Sequence, residues 1–75
     1  MTIGIRFKIA RLKAGLTQQE LADKSFVDRR TIVRLEAAGN TSNSPMLDRI
    51  AATLGESPAY MRYGVSAREE DRHLP

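Results

Sequence analysis

Three guanidinium groups sit close together in the middle of this chain, at Arg29, Arg30 and Arg34, with Asp28 just before them and Val33 among them. Each arginine is a planar fork of N–H donors suited to paired acceptor oxygens or nitrogens, and it stays charged at any ordinary pH. At helical spacing these residues fall on one side of a helix, while Ile32 and Leu35, three apart, fall on the other. One helix with an apolar face to pack and a cationic face to present has the form of a helix made to enter a groove. The plainer reading is a solvated helix face. Catalysis has less support: no nucleophile, base and orienting group are grouped, and 75 residues leave little room for a concave pocket. With no cysteine and one histidine, His73, the sequence offers neither a disulfide framework nor a Cys/His metal site, so no metal and no cofactor is expected.

The formal charge of +3 hides an asymmetry. Residues 1 to 34 hold eight Lys/Arg against three acids, a net of +5, and the remainder holds four against six, a net of −2. A basic half on a small domain points to a polyanion, most often nucleic acid. The apolar runs are only a few residues long, and the N-terminus lacks the basic-then-apolar layout of a signal peptide, so a cytoplasmic protein without a membrane segment is expected. A chain of this length buries only about 60% of its unfolded surface, and support must come from helix packing or a second subunit.

The elements that would position the arginines are marked by their ends. Thr2 can cap a first helix that runs to about Ala14 and stops at Gly15. Thr17-Gln18-Gln19-Glu20 is a capping box, opening a second helix that ends at Lys24 or Ser25. Asp28 can cap the third, with Val27 and Ile32 as a hydrophobic staple and Gly39-Asn40 as the stop after Ala37 or Ala38. Asn43 or Ser44 caps a fourth helix with Pro45 in its first turn, ending at Gly55; Ser57-Pro58 starts a short fifth that ends at Gly64. No segment alternates apolar and polar residues at strand spacing, so an all-α, compact five-helix bundle over residues 1–64 is expected, followed by a polar tail, 65–75, that is either a frayed helix or a linker. The second and third helices are short and separated by three or four residues, so they must cross sharply, and Ala22 suits their close contact.

Gly15-Leu16-Thr17-Gln18-Gln19-Glu20-Leu21-Ala22, then Asp28 through Glu36, then Leu47 through Pro58, in this order and spacing, resemble the phage-repressor or Cro-like (Xre-type) helix-turn-helix family over about residues 3 to 64. Lys24 to Arg29 is also similar to controller proteins of restriction-modification systems, within the same fold. The resemblance implies a lambda-repressor-like domain that binds double-stranded DNA as a homodimer, with the third helix in the major groove. It places Arg29, Arg30, Val33 and Arg34 at base edges, where arginine pairs with guanine O6 and N7 and valine suits a thymine methyl. It places Thr17, Gln18, Asn40 and Thr41 at phosphates, which set register rather than specificity. Arg11 and Glu36 match positions joined by a salt bridge. The implied function is a transcriptional regulator, a repressor that occludes a promoter by binding an inverted-repeat operator.

Two features depart from the family pattern. The turn position usually held by glycine is Phe26, where a bulky residue at positive φ is costly; either the turn has another geometry or packing holds Phe26. The loop Asn40 to Ser44 lacks the usual lysines and arginines, which lowers the expected phosphate affinity. A further pattern lies outside the resemblance. Ile3, Phe7, Ala10 and Ala14 form one face of the first helix and belong to the core, whereas Ile5, Ile9 and Leu12 form a second stripe nearly opposite. That stripe is either a contact surface for a partner protein or second subunit, or a wider core or dispersed surface residues. Tyr60, Met61, Tyr63 and Val65, near the fifth helix, are either the family's dimer surface or a closing core layer. An alternative function follows from the stripe: an antitoxin-like or anti-repressor interaction module in which DNA contact is secondary.

Overall fold

A computed structural model describes residues 2–38 and 44–64. They form five helices: α1 (Ile3–Lys13), α2 (Gln18–Ser25), α3 (Arg29–Ala38), α4 (Ser44–Thr53) and α5 (Pro58–Tyr63). Among the described residues there is no strand. The expectations for the stop at Gly39-Asn40, for Asn43, for Val65 and for the tail fall on residues outside those described.

Helix starts follow from side chains that satisfy first-turn N–H groups. The Thr2 hydroxyl accepts from Ile5 N–H, and the Ser57 hydroxyl accepts from Tyr60 N–H with Pro58 in the first turn. At α2 both halves of the capping box are made: Glu20 N–H donates to Thr17 Oγ1 at 3.0 Å, and Thr17 N–H donates to Glu20 Oε1 at 2.8 Å.

Three of the helix ends share one hydrogen-bond pattern. Leu16 N–H returns to Arg11 C=O and Gly15 N–H to Leu12 C=O after α1; Glu56 and Gly55 do the same onto Ala51 and Ala52 after α4. Val27 and Phe26 repeat it onto Ala22 and Asp23 after α2. This is the Schellman arrangement, which needs a left-handed residue just past the helix. Gly15 (φ 74°) and Gly55 (φ 72°) supply it without steric cost, but after α2 the residue is Phe26, at φ 58° and ψ 42°. Both alternatives expected for Phe26 are therefore corrected. The turn keeps the geometry that favours glycine, and packing does not hold the ring, which is 85% exposed.

The core consists of Phe7 from α1, Leu21 and Ala22 from α2, Ile32 and Leu35 from α3, Leu47, Ile50 and Ala51 from α4, and Met61 from α5. α3 packs on α1 and α2, α2 also on α4, and α5 closes the bundle against α1 and α4. Ala22, fully buried, lies where a larger side chain would separate α2 from its neighbours. Val27 packs on the core that contains Ile32, consistent with the staple. Ile3 and Ala10 pack on the core and Phe7 lies within it, but Ala14, assigned to the same face, is exposed at the end of α1.

Met61 requires a correction. It is fully buried among the core residues and contributes nothing to a surface, so of the two readings of the fifth helix the closing core layer holds at this position. Its thioether side chain is long and flexible enough to fill the gap between α1 and α4. Tyr60 is half-buried against the same core, and Tyr63 is 70% exposed.

A contact across the chain fixes α5. Arg6 Nε donates to Met61 C=O at 2.8 Å and Arg6 Nη2 donates to Arg62 C=O at 2.7 Å. The last carbonyls of a helix have no partner within it, and a guanidinium placed there satisfies them and complements the helix dipole. Arg62 itself pairs with Asp48 of α4 at 2.6 Å.

Candidate DNA interface

α3 divides cleanly by face. Ile32 and Leu35 are buried, and Arg29, Arg30, Val33, Arg34 and Ala37 are exposed. From Arg29 to Arg34 the helix rises about 7–8 Å, at 1.5 Å per residue, so the three guanidiniums extend from its first two turns. None of the three makes a hydrogen bond or ion pair to another described residue. Their donors remain available to an external acceptor. Ala37, one turn beyond Val33 and Arg34 on the same face, is a member of this surface that sequence patterning passed over. Its small side chain allows close approach of the helix to whatever faces it.

The edge of α3 between its buried and exposed faces, two turns beyond Arg29, is held by a buried carboxylate. Glu36 Oε2 accepts from Arg11 Nε at 2.6 Å, and Glu36 Oε1 accepts from Arg11 Nη2 at 3.1 Å and from Gln18 Nε2 at 3.2 Å. Arg11 Nη1 also donates to Leu16 C=O at 2.8 Å. The Arg11 and Glu36 side chains are both nearly buried, so their mutual charge and the added hydrogen bonds must offset a large desolvation cost. This ties α1, α2 and α3 together at one point. The Arg11–Glu36 pair expected from the resemblance is made.

Gln18 holds a double position. Its side-chain amide is engaged with Glu36, while it occupies the first position of α2, where backbone N–H groups of residues 18 and 19 have no intrahelical partner. Those N–H groups, with the positive end of the helix dipole, suit an anion better than the committed side chain does. Thr17 is exposed and uses its hydroxyl oxygen as the α2 cap. Glu20, beside it, has its carboxyl held below the usual range by the Thr17 backbone N–H first and then by the Thr17 side chain, with Lys24 assisting and burial opposing. Asn40 and Thr41 lie outside the described residues.

The structure thus places Thr17 and Gln18 at the start of α2 and Arg29, Arg30, Val33 and Arg34 on α3, the two helices joined by the three residues Phe26 to Asp28 through a turn of Schellman type. It does not bring Ile5, Ile9 and Leu12 to them: those residues lie on the outer side of α1, away from its packed face. Two links escaped the sequence. Gln18 to Glu36 and Arg6 to α5 join residues far apart in the chain, and neither has a local signature. Arg49 Nη1 also approaches Phe26 C=O at 3.4 Å, setting another cation beside the turn. Among the described residues no group of acids and histidines is placed to hold a metal ion, and no helix is long and apolar enough to cross a membrane.

Two short helices packed on each other across a three-residue turn, the second with a polar outer face, define a helix-turn-helix domain. A helix-turn-helix profile matches residues 7–61, and the chain belongs to that family, of the Xre and lambda-repressor-like type, whose members are DNA-binding regulators rather than enzymes. Its partner is accordingly double-stranded DNA. The crystal structure of a hypothetical transcription factor, NHTF, from Neisseria is similar in fold, with a TM-score of 0.77 at 20% identity, covering 91% of this chain and 78% of that one. No curated protein matches the chain.

Proposed function

We propose that this transcription regulator is a repressor that binds an inverted-repeat operator as a homodimer, with α3 in the major groove. The observation that carries the reading is the set of unengaged guanidiniums of Arg29, Arg30 and Arg34 on the outer face of a helix whose edge is locked by Glu36. Bidentate pairing of arginine with guanine O6 and N7 favours half-sites containing G·C pairs, each good pair giving about 1–3 kcal/mol of discrimination. Val33, beside them, suits a thymine methyl. The N-terminus of α2, with Thr17 and Gln18, and the loop residues Asn40 and Thr41 serve the phosphates. Tyr63 and Tyr60 on α5 are the residues offered to a second subunit. Two half-sites then lie about one helical turn apart on one face of the duplex, and occupancy occludes a promoter.

Selection from a random duplex pool, followed by affinity for the winner and a scrambled duplex at two salt concentrations, tests this. The expected result is a palindrome bound about 10³-fold or more tighter than the scramble, with selectivity lost in Arg34→Ala. Binding that ignores sequence and vanishes with salt reports phosphate contacts alone and overturns the reading.

A further inference from the structure

The outer face of α1 carries a second surface. Ile5 (45% exposed), Ile9 (37%) and Leu12 (57%) lie within about 60° of arc, at roughly 100° per residue, and span about 10 Å along the helix. Lys8 and Lys13, both exposed, flank this stripe on its two sides. α1 contains no acidic residue. The face is separate from the surfaces α1 packs against α3 and α5.

We propose that this stripe docks an acidic amphipathic helix of another protein, its apolar side on Ile5, Ile9 and Leu12 and its carboxylates on Lys8 and Lys13. Charge decides between this occupant and a second copy of the chain. Two copies of the stripe paired antiparallel about a two-fold axis bring Lys8 against Lys8 near the centre, while Lys13 meets the other end of the second copy's α1, where there is no carboxylate to receive it. No carboxylate on either helix neutralises them, and like charges opposed across an interface work against association. A partner with acids on both edges makes the contacts at Lys8 and Lys13 attractive. Three apolar positions at i, i+4 and i+7 are the usual anchor spacing for two helices laid side by side. The surface does not involve Arg29, Arg30 or Arg34, so docking there does not occupy the arginines proposed to read DNA.

The test uses the full 75-residue chain, labelled with 15N, and a synthetic 14-residue peptide with leucines at i, i+3, i+4 and i+7 flanked by glutamates, beside a peptide with lysine in place of each glutamate. The expected result is saturable shift changes centred on Ile5, Lys8, Ile9 and Leu12 with the acidic peptide, weakened at least tenfold by Ile9→Lys. The Lys8→Glu/Lys13→Glu double variant is expected to reverse the preference, binding the basic peptide in place of the acidic one. Because these substitutions are on exposed positions, an unchanged far-ultraviolet spectrum separates lost docking from lost folding. No saturable binding, binding that Ile9→Lys leaves intact, or equal binding of both peptides overturns the proposal. So does concentration-dependent self-association in sedimentation that Ile5→Lys abolishes, since the occupant is then a second copy.

Discussion

Replacing Phe26 by glycine is expected to stabilise the domain, against the usual result of deleting a large apolar side chain. Phe26 sits at φ 58°, ψ 42°, a conformation that costs an L-residue roughly 1–2 kcal/mol. Glycine removes that cost but brings back about 0.5–1 kcal/mol through the greater freedom of the unfolded chain. The ring is 85% exposed, so its removal forfeits only a small part, about 0.3 kcal/mol, of the 1.5–3 kcal/mol that full burial of such a side chain is worth. The net is a gain of about 0.5 kcal/mol, or roughly 2–4 °C in Tm for a domain this small. Phe26→Asn, which tolerates the left-handed region and adds less unfolded-state freedom, is expected to gain somewhat more. Phe26→Ala keeps the Cβ and therefore the strain, and is expected to gain nothing. Urea titrations and thermal melts of the three variants beside the parent decide it. Equal stabilisation by alanine and glycine would place the effect in the ring and refute the backbone argument, and destabilisation by glycine would show that the ring packs.

Other perturbations follow from the same structure. Glu36→Gln leaves the buried Arg11 guanidinium without its counter-charge and is expected to lower stability by about 3 kcal/mol, measured as a shift in urea midpoint; a loss under 1 kcal/mol would mean the pair merely balances its desolvation. The Glu20 carboxyl titrates below its ordinary value of 4.5 in the folded state, so its contribution is full above that value and is lost as pH falls through the lower folded one. The stability advantage over Glu20→Gln is therefore expected to be larger at pH 7 than at pH 3, and an advantage that is constant with pH would contradict the assigned cause. Ser25 is fully buried at the end of α2, and its hydroxyl has no hydrogen-bond partner among the described residues. Ser25→Ala is expected to raise stability by about 1 kcal/mol, and a fall instead would reveal a bonding partner for that hydroxyl.

Much of the fold could be read locally, because helix ends are decided by a few adjacent residues. Thr17 and Glu20 form both bonds of the capping box, and Gly15 and Gly55 take the left-handed turns their positions suggested. Phe26 was legible as an anomaly but not in its outcome. Whether a turn changes shape or absorbs strain depends on the stability of the two helices it joins, which no local pattern measures. Met61 illustrates the same limit for burial: methionine beside two tyrosines suits a surface or a core, and only the position of α5 against α1 and α4 places it inside. The arginine face of α3 was visible in helical spacing. The bond from Gln18 to Glu36 was not, since an amide at a helix start carries no mark of a partner eighteen residues away.

The carboxylate of Glu36 also bears on how such a domain changes its target over generations. Because α3 is oriented from its edge, through Arg11 and Gln18, nothing on its outward side is needed to keep it in place. Residues 29, 30, 33 and 34 make none of the bonds that hold α3, and under the proposed reading exchanging them alters which sequence is read without asking the scaffold to adjust. The domain behaves as a fixed handle with a replaceable key, and variation at those four positions is expected to be tolerated in the fold far more widely than variation at Arg11, Gln18 or Glu36.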